Sequence, residues 1–267
     1  MTKTKKSYDS YPIQWLDTTD STNSDIRRAL GSLANLSVIA ARFQTAGRGQ
    51  IGASWESQPG QNLTFSVLLR PDFLKADRMF MISKVVALAL TDYLESTGGI
   101  FKIKWPNDIY HFDSKICGTL IENQFMGDQI VYSIVGIGLN VNQEAFISDA
   151  PNPVSMFNIF DKKFDLTAEL PKLLHQIAVW YQMLVDGWED KINESYFGRL
   201  YRTDKPYDFI AIESGERFTG QIANVESNGH LTITDNKGLP RRFWFKEVAF
   251  ADKFNAGQPI NEIEGES

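Results

Sequence analysis

A literal G-x-G-x-x-G, Gly47-Arg48-Gly49-Gln50-Ile51-Gly52, follows a β-branched apolar run from Ser37 to Phe43, and what comes after it constrains the fold most. In a dinucleotide-binding βαβ unit the third glycine opens a helix whose N-terminus receives the pyrophosphate. Here Trp55 to Gln61 contains Pro59 and Gly60 and leads straight into a second strand, Asn62 to Arg70. The context therefore argues against that fold. Gln44 to Gly60 reads instead as a long loop without periodicity. Its glycines allow close backbone approach to an anion, and Arg48 supplies a fork that grips a carboxylate or phosphate. A plain surface turn is the competing reading.

The elements around the loop describe a mixed chain. Ile13 to Asp17 suits a strand, and Thr18 to Thr22 offers N-cap oxygens for a short helix carrying Ile26, Ala29 and Leu30. Pro71 closes the strand that begins at Asn62. Ile82, Val85, Val86, Ala89, Leu90 and Tyr93 recur at helical spacing, and strands are expected at Ile100 to Trp105, Ile116 to Gln124 and Gln129 to Val141. A second helical stripe runs from Leu170 to Trp188, with Pro171 tolerated in the first turn, and reads as core. Beyond Tyr201 the texture becomes short β runs at Phe209 to Glu213, Arg217 to Val225, His230 to Thr234 and Arg242 to Phe250. Between them stand the turn pairs Ser214-Gly215, Asn228-Gly229 and Lys237-Gly238. With 267 residues, 43% of them apolar, the chain can fill one large domain, residues 1–202, and a small β barrel, residues 203–267.

Charge and cysteine usage narrow the function. The net charge is −6 and no basic stripe is present, which argues against nucleic acid. The most apolar window, Met79 to Leu94, carries Lys84 and Asp92, so no membrane span is expected. Lys3, Lys5 and Lys6 are followed by polar residues where a signal peptide needs an apolar core, so a cytoplasmic protein is expected. One cysteine, Cys117, and three histidines exclude an internal disulfide and the usual zinc spacings.

Three further segments carry chemistry. In Lys104-Trp105-Pro106-Asn107-Asp108, Pro106 keeps Trp105 extended, Asp108 is a hard oxygen ligand suited to Mg²⁺, and Lys104 can face the same phosphates. An ordinary Asn-Asp turn is the alternative. In Lys115 to Glu122, Lys115 opens a strand and Gly118 leaves room for a ligand against the backbone, although a lone lysine in such a place is usually solvated. Gly136, Gly138, Asn140 and Asn142 alternate along one strand, so all four are expected on one face, small enough for a flat ligand.

Taken in order, Ser21-Thr22-Asn23, Gln44 with the Gly47 loop and Trp55, Lys104 to Asp108, Lys115 to Glu122 and Gly136 to Asn142 resemble the signatures of the biotin protein ligases over about residues 13 to 200. The resemblance implies an α+β fold like that of class II aminoacyl-tRNA synthetases and the biotin–lipoyl ligases. A mixed sheet with flanking helices would be followed by an SH3-like barrel. It implies a reaction in two steps, biotin and ATP giving biotinyl-5′-AMP, then transfer to a lysine of a biotin carboxyl carrier protein of acetyl-CoA carboxylase or a related carboxylase.

By the same resemblance Ser21, Thr22, Asn23, Gln44, Gly47, Arg48, Trp55, Lys115, Gly118 and Leu120 hold biotin. Gln50, Lys104, Asn107, Lys115 and Asn140 hold the nucleotide, Asp108 holds Mg²⁺, and Arg48 and Lys115 are the catalytic cations. Two positions depart from the family, Gln50 and Ala53, where arginine is frequent. The partners implied are biotin, ATP and the carrier, without DNA or membrane, for a monomer or homodimer. With twenty residues ahead of Ser21, no winged-helix module is expected. The competing reading is a lipoate ligase or octanoyltransferase, in which Cys117 would be a nucleophile. A binding protein without catalysis is disfavoured by Lys104, Asp108 and Lys115, which it would not need.

Overall fold

The structure is a computed structural model and describes residues 11–50, 54–147 and 152–251. Seven strands form one sheet: β1 (Ile13–Thr19), β2 (Val38–Gln44), β3 (Leu63–Leu69), β4 (Lys102–Lys104), β5 (Asp108–His111), β6 (Ser114–Met126) and β7 (Gln129–Leu139). Their order is β1-β2-β3-β7-β6-β5-β4, with β1 parallel to β2 and the other neighbours antiparallel. The helices are α1 (Thr22–Ala29), α2 (Phe80–Glu95), α3 (Met156–Phe160), α4 (Leu166–Val185) and α5 (Glu189–Gly198). A second, five-stranded antiparallel sheet follows, β8 (Tyr207–Ala211), β9 (Arg217–Val225), β10 (Leu231–Asp235), β11 (Pro240–Phe243) and β12 (Val248–Phe250). This is the expected α+β arrangement with a small β module after it.

Side-chain alternation decides where a ligand can sit. In β3 and β7, Leu63, Phe65, Val67, Leu69, Val135, Ile137 and Leu139 join the main core, to which α2 and α4 contribute. The intervening residues look the other way: Leu68 and Ile134 pack on Ile26 of α1, Ser66 bonds to α1, and Gly136 and Gly138 meet Asn23 and Trp55. The main-core face is greasy and closed, and the opposite face is small and polar. All seven residues of β3 are buried, so this strand is central and covered on both sides. α2 is buried nearly all round, as a helix packed between a sheet and other elements must be.

Three expectations need correction and one strand was not foreseen: a turn at 105–107 leads from β4 into Asp108–His111, which forms β5. The stripe from Leu170 to Trp188 is broken at Gly187, whose φ is +81°, so α4 ends and α5 begins, and Trp188 is 60% exposed instead of belonging to the core. The last expected run, Arg242 to Phe250, is two strands, β11 and β12, on opposite edges of the sheet. β7 stops at Leu139, short of both asparagines.

The β module is tied to the main domain through polar contacts around its turn at Glu226 to Gly229. The backbone N–H of Phe80 donates to Ser227 O at 3.0 Å, and Trp105 Nε1 donates to Gly229 O at 3.0 Å. Lys84, buried on α2, donates to Val225 O at 2.6 Å and to Asn193 Oδ1 at 2.8 Å. Burial pulls the Lys84 ammonium down from its ordinary 10.5 to about 8, against an opposing pull from Glu226. Between these values the unfolded chain binds the extra proton, so stability rises with pH there. Measured by urea denaturation, the stability of the native chain relative to Lys84→Met is expected to increase by roughly 3 kcal/mol from pH 7 to pH 11. A flat difference would refute the assignment.

Candidate active site

On the polar face of the sheet lies a cavity of about 540 Å³, within the size range of small-molecule sites. One end is built by α1. Its first turn carries Thr22 and Asn23, both 3% exposed, because Ser21 takes the N-cap position. The backbone N–H of Thr22 donates to Gln44 Oε1 at 2.8 Å, and the Thr22 hydroxyl lies 3.1 Å from the same oxygen and 2.7 Å from Ser66 Oγ. Asn23 Nδ2 donates to Glu122 at 2.7 Å and more weakly to Leu120 O at 3.4 Å. A Cβ on Gly136 would collide with the Asn23 amide, so only glycine fits there.

The loop after β2 is more ordered than its composition suggests. Trp55 N donates to Gly47 O at 3.0 Å and Arg48 bridges Ser54, so its two arms run antiparallel; the tip, Ile51 to Ala53, lies outside the described residues. A Cβ on Gly138 would fall inside the Trp55 indole, which therefore rests directly on the strand backbone. Trp55 Nε1 is buried with no hydrogen-bond partner among the described residues, leaving a donor at the cavity wall. Gly47 does not line the cavity; its role is the close approach to Trp55 O and Gln44 Nε2.

At the other end Lys115 Nζ stands 2.8 Å from Asp108 Oδ1 and 5.9 Å from the centre of the Trp55 ring. Arg48 lies 3.7 Å from Glu122 and is 45% exposed. Ser21, Thr22, Asn23, Gln44, Arg48, Gln50, Trp55, Asn107, Asp108, Lys115, Gly118 and Leu120 all line this one cavity, although they come from five separate stretches of chain. Asn107 turns its Nδ2 inward, to Thr119 O at 2.6 Å, which leaves it positioned by the β5–β6 pairing. Lys246, from the β module, also lines the cavity, and nothing in its local sequence marked it.

A smaller cavity of about 230 Å³ adjoins the first and shares Gln50, Asn107, Asp108 and Lys246 with it. Lys104 lines this second cavity only. Its Nζ donates to Tyr110 Oη at 3.1 Å and lies 4.4 Å from the Tyr110 ring centre and 5.8 Å from that of Phe250.

Comparison with known proteins now decides the family. The Biotin/lipoate A/B protein ligase family profile matches residues 15–140. The biotin–[acetyl-CoA-carboxylase] ligase of Paracoccus denitrificans is 30% identical over 227 residues, which span 82% of this chain and 93% of that protein. The chain belongs to the biotin protein ligase family. The bifunctional ligase/repressor BirA of Bacillus subtilis is 38% identical over 210 residues, 76% of this chain. The chain spans only 33% and 63% of the length of the two Bacillus ligase/repressors it matches. Among solved structures, the biotin protein ligase from Aquifex aeolicus in complex with biotin and ATP is similar, with a TM-score of 0.74 and 25% identity over 89% of this chain and 97% of that one.

Two expectations for this ligase-family site are corrected by the geometry. Lys104 does not join Arg48 and Lys115, because its ammonium is taken up among the rings of the neighbouring cavity. Asn140 and Asn142 do not share the face of Gly136 and Gly138. Beyond the end of β7 they turn inward, Asn140 Nδ2 to Val154 O at 3.1 Å and Asn142 Nδ2 to Phe164 O at 2.8 Å. Asp108 Oδ1 stands against Lys115, and among the described residues no three acidic, histidine or cysteine side chains gather, so the protein alone offers no multidentate metal cage and Asp108 could serve only as one ligand beside phosphate and water. The lipoyl-type alternative loses its nucleophile. Cys117 is fully buried in the main core, and burial raises its thiol far above the ordinary range. Among the described residues, no helix is long and apolar enough to cross a membrane.

Proposed function

We propose that this chain activates biotin with ATP and passes the biotinyl group to a lysine of a biotin carboxyl carrier protein. The carrying observation is the convergence of Arg48 and Lys115, from separate segments, on a cavity whose far end offers Thr22 and Gln44 as hydrogen-bonding groups. In the first step a biotin carboxylate oxygen attacks the α-phosphorus of ATP and pyrophosphate leaves. In the second the carrier amine attacks the acyl carbon and AMP leaves. The first step brings like charges together. A pair of unit anions 4 Å apart repels by roughly 4 kcal/mol at an effective dielectric of 20, which cations set in place beforehand offset. Lys115 and Arg48 are those cations, and Mg²⁺ enters with the triphosphate as part of the substrate. Trp55 excludes water over the glycine strand, and no covalent enzyme intermediate is required.

The test mixes the protein with ATP, Mg²⁺ and labelled biotin, with and without a carrier domain. Label transfer that needs every component supports the reading, and exchange of pyrophosphate that follows octanoate instead of biotin overturns it.

Gln50, at a position where the family resemblance leads one to expect arginine, lines both cavities. Adding a cation beside the adenylate phosphate introduces a charge-assisted hydrogen bond of about 1.5–3 kcal/mol. Gln50→Arg is therefore expected to slow biotinyl-5′-AMP dissociation about tenfold or more. Stopped-flow release of the labelled adenylate checks this, and an unchanged off-rate refutes it.

A further inference from the structure

Four polar side chains at the α1 end of the cavity form a line, the half-buried Gln44 and the buried Thr22, Ser66 and Asn23, ending on the Glu122 carboxylate. Ser66 is completely buried and does not line the cavity; its hydroxyl meets Asn23 and Thr22 of α1, so direct ligand contact does not account for it. We propose that Ser66 and Glu122 are positioning residues that set the hydrogen-bond polarity of the ligand-recognising end, and with it the selection of a cyclic urea. This rests on the biotin reading above.

A carboxylate only accepts, so Asn23 must present Nδ2 to Glu122 at 2.7 Å and Oδ1 to the interior. Arg27 at 3.0 Å and Arg48 at 3.7 Å hold the other Glu122 oxygen, Oε1. Ser66 then spends its one proton on Asn23 Oδ1 at 2.6 Å. In its 2.7 Å contact with Thr22 it can only accept. The Thr22 proton is thus used inside the protein, on Ser66 or on Gln44 Oε1, and lone pairs are what Thr22 turns to the cavity. Gln44 Oε1 is pinned by the Thr22 backbone N–H, so its Nε2 remains the donor. An acceptor beside a donor matches an edge with N–H next to C=O. A dithiolane or alkyl chain would leave both groups unpaired, the situation in which a polar site rejects a ligand strongly.

Glutamine at position 122 could donate to Asn23 Oδ1, which would invert the amide, then Ser66, then Thr22. The test measures calorimetric affinities without ATP for biotin and for its cyclic carbamate analogue, in which one ring N–H is oxygen and the shape is kept. The native chain is expected to prefer biotin by about 10²-fold or more. Ser66→Ala and Glu122→Gln are expected to shrink that ratio at least tenfold, and Ser66→Thr, which keeps the hydroxyl, to preserve it. Equal weakening of both ligands, or no change, overturns the proposal. Because Ser66→Ala removes a buried bond, its thermal unfolding is recorded alongside; Glu122→Gln, at a side chain 25% exposed, carries the test if Ser66→Ala fails to fold. A native chain that binds neither compound overturns the biotin reading itself, a result distinct from any change in the ratio.

Discussion

Lys115→Ala is expected to lower biotin-dependent pyrophosphate exchange by about 10³-fold in kcat/KM while leaving thermal unfolding almost unchanged. Removing one preorganised donor to a developing anion commonly costs about 10²–10³ in rate. The upper end applies here because the substitution also strips Asp108 of its partner at 2.8 Å, leaving a carboxylate to repel the incoming phosphates. Stability is spared because the lysine side chain is 26% exposed at the start of β6, and its backbone contacts to Asn152 and Val154 do not involve the ammonium. Lys115→Arg restores charge but not the compact geometry, so partial recovery is expected. A loss of less than tenfold in Lys115→Ala would remove Lys115 from the chemistry.

The second large effect concerns Gly138. A single added carbon there overlaps three atoms of the Trp55 indole, and the strand beneath is paired on both sides, to β3 and to β6. Trp55 must swing away, taking one wall of the cavity and the donor at its buried Nε1 with it. Gly138→Ala is expected to weaken biotin binding by about 10²-fold, through lost packing of an aromatic wall and a lost hydrogen bond. Isothermal calorimetry against Gly31→Ala, where a new Cβ meets nothing within 4 Å, is the matched comparison. Unaltered affinity would show that the indole is not part of the binding surface.

Much of this was legible in the residues, for reasons that differ by element. The segments around Thr22, Gln44, Lys115 and Gly138 carried the cavity because each is short-range: a cap, a strand end or a glycine pair whose consequence is local. Lys104 was misplaced because its pairing partner Tyr110 sits on a strand the spacing did not reveal, and the other rings around it, Tyr201 and Phe250, lie nearly a hundred residues or more away. The two asparagines failed for another reason. Alternation predicts a common face only while the strand continues, and β7 ends one residue before Asn140. β5 was hidden because four residues directly after a turn are too few for alternation to register. α5 was hidden because one glycine breaks a stripe that otherwise reads through. Lys246 had no local signal at all; only the docking of the β module brings it to the cavity.

The division of labour along β3 and β7 bears on how such a chain can change. From Leu63 to Leu69 and Val135 to Leu139 the odd-numbered positions answer to the packed interior, whereas of the even-numbered ones Leu68 and Ile134 pack beneath α1 and Ser66, Gly136 and Gly138 back the ligand-facing groups. Stability and selectivity are therefore interleaved in sequence but separated in space. A library aimed at new acids can therefore leave the odd-numbered positions of these stretches untouched.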